Sequence, residues 1–183
     1  TQATARHSSS TGLNFKNIMA NTTPDTPATR ALKAAHIAFA SYLYPYEDHG
    51  GASFAARFLN LPEHAVIKTL VMENENAKPL LVLMHGDRDV ATKQLALATD
   101  NRQIHPCKPD VAQKHTGYQV GGTSPFGTRK PLPVFIERSI LDLPLIYING
   151  GKRGFLVALH PHDLVRALSP TPVSVAKVTG TEH

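Results

Sequence analysis

Two features of the sequence have residue types that could do chemistry. The first is the run at residues 117–127, which is rich in glycine and carries no charged side chain, unlike an ordinary solvated loop. Gly121 and Gly122 are adjacent in this run, and Ser124 and Pro125 follow them. Because glycine lacks a Cβ, its backbone amides can approach a ligand closely. The run therefore predicts a binding loop.

The second feature is Lys68, which lies within an apolar run. Strand alternation places Lys68 on the same face as Val66, Leu70 and Met72. A lysine in such a strand can snorkel to the edge, guard an edge or project into a polar pocket, and the residues alone favour the first two explanations. In a pocket, its ammonium group would suit a phosphate, a carboxylate or a polarised carbonyl.

A pair of adjacent cations accompanies each of the two glycine-rich segments of the chain. Arg129 and Lys130 come after the first, and Lys152 and Arg153 lie within a second at residues 150–154. Solvated loop charges are the common explanation for such pairs, and contacts to phosphates are the functional one. The net charge of +5 favours an anionic partner. The sequence has no long block of lysine and arginine, so a basic tail is not predicted.

The composition is that of one compact domain. Of the 183 residues, 42% are hydrophobic, which is enough for a core. The single cysteine, Cys107, excludes an internal disulfide and is interpreted as a small core filler. No stretch is apolar enough to span a bilayer, so we expect a soluble, cytosolic protein. The His105-Pro106-Cys107 and His160-Pro161-His162 motifs lack a second ligand pair at zinc-like spacing, so no metal site is predicted.

Hydrophobic periodicity predicts an α+β domain with a mixed, curled sheet flanked by helices. Residues 1–25 are expected to be disordered or non-native, residues 26–168 to form the domain, and residues 169–183 to form a loose tail. Helices are predicted to begin at Pro27 and to cover 52–60, 92–98, 110–115 and 164–168. Strands are predicted at 66–72, 80–85, 134–137, 145–149 and 155–159. Hairpins between neighbouring strands argue against a doubly wound parallel sheet.

Three segments together resemble the YbaK/EbsC family of bacterial aminoacyl-tRNA deacylases. They are residues 66–71 around Lys68, the glycine run at 117–127, and residues 146–154, and they occur in the order of the family. The resemblance covers about residues 27–168. It implies a partly barrel-like mixed sheet with helices outside, related to the editing domain inserted in bacterial prolyl-tRNA synthetases.

The resemblance also implies an activity, the removal of a wrongly attached amino acid from tRNA. Cysteine on proline tRNA is the usual substrate of this branch, and alanine that of its relatives. In cysteine-specific members the thiol of the substrate is thought to attack the ester, and no Ser-His-Asp or Cys-His set is identified in this sequence. No cofactor is implied. The expected partner is the 3′ acceptor end of aminoacyl-tRNA, with prolyl-tRNA synthetase as an open second partner and no membrane.

The matching positions imply roles for individual residues. Lys68 matches the essential lysine, and the amides of Gly121 and Gly122 match the catalytic backbone. The substrate-binding positions are Thr69, Ser124, Pro125, Asn149, Gly150, Gly151 and a pocket aromatic at Tyr44 or Tyr46. The residues expected to hold the tRNA backbone are Arg129, Lys130, Lys152 and Arg153.

Two departures from the family pattern leave the preferred amino acid open. Asn149 stands where several relatives have serine or alanine, and Leu156 stands where a cysteine-specific enzyme carries an acidic residue. Two alternatives to deacylation also remain. One is a module of the same fold that binds tRNA or a synthetase without catalysis, and the other is a hydrolase of a different small ester.

Overall fold

The structure, a computed structural model, describes residues 23–178; most of the segment predicted to be disordered or non-native lies outside this range. The helices of this part are α1 (Pro27–Ala34), α2 (Gly51–Leu59), α3 (Thr92–Ala98), α4 (Pro109–Thr116) and α5 (Pro161–Leu168). The strands are β1 (Ala40–Leu43), β2 (Val66–Asn74), β3 (Pro79–His85), β4 (Arg88–Val90), β5 (Ile104–Pro106), β6 (Val134–Glu137), β7 (Ile146–Asn149), β8 (Phe155–Leu159), β9 (Thr171–Val173) and β10 (Ala176–Val178).

The strands form one large mixed sheet and one small antiparallel sheet. The large sheet has the order β1-β8-β7-β2-β3-β6-β9, with β5 added on β2. The hairpins β2-β3 and β7-β8 are antiparallel, whereas β2 pairs with β7, β3 with β6 and β6 with β9 in parallel. The prediction of a mixed sheet flanked by helices is therefore confirmed.

One edge of β2 is covered by two different strands that leave a gap between them. Strand β7 pairs only with Val66 and Ile67 at the start of β2, and β5 pairs with the last three residues, from Met72 to Asn74. The other edge of β2 pairs continuously with β3. Residues 68–70 therefore lie where the sheet is open on one side, and this opening becomes the floor of the candidate site.

Local sequence signals explain where α1 begins. The Thr26 hydroxyl accepts a hydrogen bond from the Thr29 amide at 3.0 Å, and the Thr29 hydroxyl accepts one from the Thr26 amide at 2.9 Å. Pro27 occupies the first turn, where a missing N–H costs nothing. Thr26 also donates to the Gly150 carbonyl at 2.6 Å, so this cap joins α1 to the turn between β7 and β8.

The main core lies beneath α1 and α5 on one face of the sheet, with Leu32, Leu81, Ile136, Ile148 and Phe155 all fully buried. A second cluster surrounds α3, and a third packs α2 on β2 and β8. Burying side chains of this size stabilises a fold by about 1.5–3 kcal/mol each. These clusters pack around β2 and β7, the two strands that carry Lys68, Thr69 and Asn149.

The prediction of a loose C-terminal tail is wrong for the described part of it. Residues 171–173 form β9 on the edge of the large sheet, and residues 176–178 form β10 paired with β4. Val173 and Val175 are buried, and the Val175 amide donates to the Glu137 carboxylate at 2.8 Å. The two prolines of this segment hid its strand pattern, because proline usually argues against a strand. Residues 179–183 lie outside the described part.

Candidate functional site

A cleft of about 680 Å³ opens above the gap in the sheet. Its floor is the middle of β2, and its walls come from α2 with the preceding loop, the glycine run, and the β4-β10 pair. Six of the residues predicted for the site line this cleft, and they are Tyr44, Lys68, Thr69, Gly121, Asn149 and Arg153. The structure thus brings these six residues together from four separate parts of the chain.

Lys68 projects into this cleft and is held there by β4. Its ammonium group donates to the Arg88 carbonyl and lies 3.3 Å from Oδ1 of Asp89. The Lys68 side chain is 23% exposed, and that of Asp89 is 41% exposed. The sequence left three explanations for Lys68 open: snorkelling to the edge, guarding an edge, or projecting into a polar pocket. The structure supports the third.

A second lysine lies at the same place. Lys177 lines the cleft, and in the pairing of β10 with β4 its Cα partner is Asp89. Side chains directly opposite one another in an antiparallel pair lie on the same face of the sheet. Lys68, Lys177 and Asp89 together carry a net charge of about +1, which favours a ligand group with negative charge or a polarised carbonyl oxygen.

Thr69 offers unused hydrogen-bonding groups at the floor of the cleft. Its hydroxyl oxygen is buried and has no hydrogen-bond partner among the described residues. Two residues further along β2, the Val71 carbonyl accepts from the Cys107 amide at 3.0 Å, so alternate backbone groups of β2 face this edge. The backbone N–H and C=O of Thr69 therefore face the gap in the sheet. A buried hydroxyl without a partner costs about 1–3 kcal/mol, so a polar ligand would relieve it.

The two adjacent glycines serve different purposes. Gly121 has φ +86° and lines the cleft, and a Cβ there would lie 2.9 Å from the Tyr46 ring. Gly122 is buried, and its amide donates to the Gln119 carbonyl at 2.9 Å. The structure thus contradicts the prediction that the Gly122 amide faces the ligand, because that N–H closes a turn. A Cβ at Gly122 would lie only 2.8 Å from the Arg153 amide nitrogen, so the absence of that atom lets the loop pack against the turn between β7 and β8.

Asn149 joins the glycine run to the turn between β7 and β8. Its Oδ1 accepts from the amides of Gly151 at 2.7 Å and Lys152 at 3.2 Å. Its Nδ2 donates to the Gly121 carbonyl at 3.1 Å and to the Lys152 carbonyl at 3.2 Å. Gly150 and Gly151 do not line the cleft, and a Cβ at Gly150 would collide with the Phe155 ring. These two glycines shape the turn that carries Asn149.

Ser124 and Pro125 lie beneath the loop and do not line the cleft. Both are buried, and Ser124 is fully inaccessible. The Ser124 hydroxyl accepts a hydrogen bond from the Phe126 amide at 3.2 Å. These two predicted substrate-binding residues therefore form the buried part of the glycine run.

Tyr44 and Tyr46 both line the cleft, so both stay candidates for the pocket aromatic. The Tyr44 amide donates to the Gly154 carbonyl at 2.9 Å, which fixes its position. Burial, and then the proximity of Tyr46, raise the pKa of Tyr44, so its phenol stays neutral at physiological pH. The Arg153 guanidinium lies 4.7 Å from the centre of the Tyr46 ring, and Arg153 Nε donates to the Val120 carbonyl at 2.9 Å.

The four predicted tRNA-binding cations are not equivalent. All four are exposed, but Arg153 lines the cleft, whereas Arg129, Lys130 and Lys152 lie outside its wall. Arg153 is already engaged in the wall, so it shapes the entrance as well as carrying charge. The other three are exposed, and their role as tRNA contacts stays a prediction.

Asp89 and Lys177 are two charged residues of the cleft that sequence reasoning missed. The segment that contains Asp89 has no strand-length hydrophobic pattern, and Lys177 lies in the predicted tail. Both depend on the β4-β10 pairing, which joins distant parts of the chain. A local signal for them was absent from the sequence.

The structure also brings together two titratable sets that the sequence did not reveal. The His85 Nε2 lies 2.7 Å from the Ser139 hydroxyl, but neither residue lines the cleft. Cys107 does line it, and its thiol lies 3.7 Å from the Glu73 carboxylate. Burial and the charge of Glu73 raise the pKa of Cys107 to about 11, so the thiol is a poor nucleophile near neutral pH. Within residues 23–178, no cluster of ligands suits a metal ion.

Comparison with known proteins identifies the family. The aminoacyl-tRNA editing domain family matches residues 49–167, which include β2, the glycine run and the β7-β8 turn. The chain belongs to this family. The resemblance found in the sequence is thereby confirmed, together with the general class of deacylase activity.

Individual relatives support the same assignment. The chain is 28% identical over 158 residues to EbsC of Enterococcus faecalis, a candidate Cys-tRNA(Pro)/Cys-tRNA(Cys) deacylase, covering 86% of this chain and 94% of EbsC. It is 26% identical over 96 residues to the proline-tRNA ligase of Brachyspira hyodysenteriae, covering 52% of this chain and 17% of the ligase.

Solved structures share the fold of this editing domain. A candidate trans-editing enzyme for prolyl-tRNA synthetase superimposes with a TM-score of 0.73 at 20% identity, covering 85% of this chain and 99% of that protein. The protein APE2540 superimposes with a TM-score of 0.75 at 20% identity, covering 82% of this chain and 99% of its own. Among the described residues, no helix is both long and apolar enough to cross a bilayer.

Proposed function

We propose that this protein acts in trans on tRNA(Pro) that carries the wrong amino acid, and that cysteine is its main substrate. The observation that carries the proposal is the Lys68 ammonium group, held beside Asp89 in the cleft, together with the Thr69 hydroxyl, which has no partner among the described residues and belongs to the same cleft lining. The family assignment indicates which bond is cleaved, the ester that joins the amino acid to the tRNA. The candidate activity of EbsC supports cysteine on tRNA(Pro).

An aminoacyl ester is already activated, so the site needs mainly to orient it and to stabilise the oxyanion that forms on its carbonyl oxygen. In this proposal, Lys68 and the backbone N–H of Thr69, both part of the cleft lining, supply that stabilisation. The Gly121 amide has no hydrogen-bond partner among the described residues and Gly121 lines the cleft, so this amide is a third candidate donor. The Gly122 amide does not stabilise the oxyanion in this proposal, because it already donates its hydrogen bond to the Gln119 carbonyl.

The nucleophile in this proposal is the thiol of the substrate. Its sulfur attacks the ester carbonyl carbon, the bond to the ribose oxygen breaks, and that oxygen takes up the proton released by the thiol. The products are free tRNA and a cyclic thioester, so no enzyme nucleophile is required. The raised pKa of Cys107 is consistent with this, because the one thiol of the cleft wall stays protonated.

Alanine on tRNA(Pro) is the second candidate substrate, and Leu156 favours it. Leu156 lines the cleft and is 4% exposed, and it packs with Ala55 and Val66 in an apolar wall. An apolar wall of this kind suits a methyl side chain as well as a thiol, since one methylene changes binding by only about 1–3 kcal/mol. With alanine, water would replace the thiol as nucleophile.

The deciding experiment uses tRNA(Pro) charged with cysteine, S-methylcysteine or alanine, and follows loss of the amino acid over the spontaneous rate. We expect rapid loss of cysteine, slow loss of S-methylcysteine because its sulfur cannot attack, and at least a hundred-fold reduction in Lys68→Ala. Lys93→Ala is the matched control, because Lys93 is an exposed lysine on α3 outside the cleft.

Each other outcome assigns a different function. Loss of alanine and S-methylcysteine at the rate of cysteine would show that water is the nucleophile. Binding of the charged tRNA without loss of any amino acid would identify a non-catalytic module. The same assay with added prolyl-tRNA synthetase tests that partner. If deacylation depends on the synthetase, the rate will rise only when the synthetase is present.

A further inference from the structure

Three aromatic rings lead from the cleft to the outside of α2. Tyr44 and Phe54 line the cleft, with their ring centres 6.4 Å apart. The ring of Phe58, one helical turn further along α2, stacks on Phe54 with centres 6.2 Å apart and planes 28° apart. The rings therefore form a continuous path, which we call the aromatic ramp (Tyr44, Phe54 and Phe58).

The outer end of the ramp, Phe58, is exposed, and the packing of the core does not require an aromatic ring there. Phe58 is 55% exposed, and neither Phe54 nor Phe58 belongs to a described hydrophobic cluster. Helix α2 packs on the sheet through its small residues, since Ala55 and Ala56 are the ones that are buried. The core would therefore keep its packing without an aromatic ring at position 58.

The position of the ramp determines what can reach it. If an aminoacyl ester occupies the cleft, the nucleoside that bears the ester lies at the entrance, and the unpaired 3′ strand of the tRNA continues outward from it. Unpaired bases stack on exposed aromatic side chains without regard to their sequence. Arg57, exposed and next to Phe58, can contact the backbone of such a strand.

We propose that Phe58, supported by Phe54, is a stacking platform for an unpaired nucleobase of the tRNA 3′ strand. This inference rests on the proposed deacylase function and adds a second contact to it, outside the cleft. The platform makes the protein prefer an ester carried by a polynucleotide over the same ester on a single nucleoside. Phe58 is then a specificity residue that does not touch the reacting atoms.

The test compares two substrates that share the same ester, aminoacylated tRNA and aminoacylated adenosine. For Phe58→Ala we expect kcat/KM to fall about ten-fold with tRNA and to change less than two-fold with adenosine, since one base stack contributes a factor of this size. Phe58→Tyr should keep both values. Leu97→Ala is the matched control, because Leu97 is 82% exposed and lies outside the cleft wall.

An equal loss with both substrates would overturn the proposal and show that Phe58 only supports Phe54. No loss with either would overturn it as well. A binding measurement separates this inference from the activity, with uncharged tRNA that carries 2-aminopurine beside the terminal adenosine. Binding of wild type should quench the fluorescence, and Phe58→Ala should not; equal quenching by both would reject the platform even if the protein deacylated no substrate.

Discussion

Asp89 lies between two lysines, 3.3 Å from the Nζ of Lys68 and directly opposite Lys177 in the β4-β10 pair. The Lys68 and Asp89 side chains are 23% and 41% exposed. Ion pairs as exposed as this one contribute only about 0–1 kcal/mol to stability. Its importance is therefore in the position of the Lys68 ammonium group.

We predict that Asp89→Asn lowers kcat about ten-fold and leaves KM and the thermal midpoint nearly unchanged. The amide keeps the size of the side chain but loses the charge that holds the Lys68 Nζ in place in the cleft, and misplacement of a catalytic cation affects the transition state most. Steady-state deacylation kinetics with calorimetry would measure both effects. Asp110→Asn is the control, an exposed carboxylate of α4 outside the cleft wall. A rise in KM alone would contradict a role in positioning Lys68.

A second prediction concerns the link between the two loops. In Asn149→Asp, the new carboxylate would face the carbonyls of Gly121 and Lys152, which now accept hydrogen bonds from Nδ2. Losing two hydrogen bonds costs about 1 kcal/mol each, which lowers the thermal midpoint of a chain of this size by about 4–8 °C. We also expect KM to rise, because Gly121 would shift in the wall of the cleft.

The charge-matched control for Asn149→Asp is Asn76→Asp, which adds the same charge in an exposed turn. An unchanged thermal midpoint in Asn149→Asp, measured beside this control, would show that the two loops hold their positions independently of the side chain.

The strands that carry the site could be predicted from the sequence because their signals are local. The alternation around Lys68 and the glycine-flanked turn after Asn149 are each complete within about ten residues. Asp89 and Lys177 could not be predicted, since only a tertiary pairing brings their short strands together. Gly122 shows another limit, because a glycine pattern indicates a tight backbone without saying whether a ligand or another loop fills the space.

A third prediction separates Cys107 from the chemistry. Cys107→Ser should keep kcat within about two-fold, since burial and the Glu73 charge raise the thiol pKa to about 11 and about one thiol in a thousand is ionised at pH 8. Alkylation by iodoacetamide should accordingly be slow at pH 8 and accelerate as the pH rises toward 11. Glu73→Gln should speed alkylation at pH 8, because removing the carboxylate charge lowers the pKa of the thiol.

Glu75→Gln in the same hairpin is the control for Glu73→Gln, because Glu75 hydrogen-bonds to the Arg102 and Gln103 amides and not to Cys107. Loss of activity in Cys107→Ser with unchanged binding of tRNA would contradict the proposed use of the substrate thiol and give the enzyme thiol a direct role.

The last prediction concerns the dependence of stability on pH. His85 is 1% exposed, donates from Nδ1 to the His64 carbonyl at 2.7 Å, and has its ring centre 3.6 Å from that of His64. Burial lowers the pKa of His85 below its usual value near 6.5, so the folded protein binds a proton there less readily than the unfolded chain. The stability associated with neutral His85 is therefore full above about pH 6.5 and is lost as the pH falls below it.

We expect the thermal midpoint of wild type to fall more between pH 7.5 and pH 5.5 than that of His85→Gln, which keeps a similar size and cannot titrate. Comparing slopes with pH, and not absolute midpoints, removes any loss of packing caused by the substitution itself. His49→Gln should leave the slope unchanged, because the His49 side chain is 95% exposed. Equal slopes in wild type and His85→Gln would mean that acid destabilises the protein through other groups, and the stacked histidines would then be a purely structural contact.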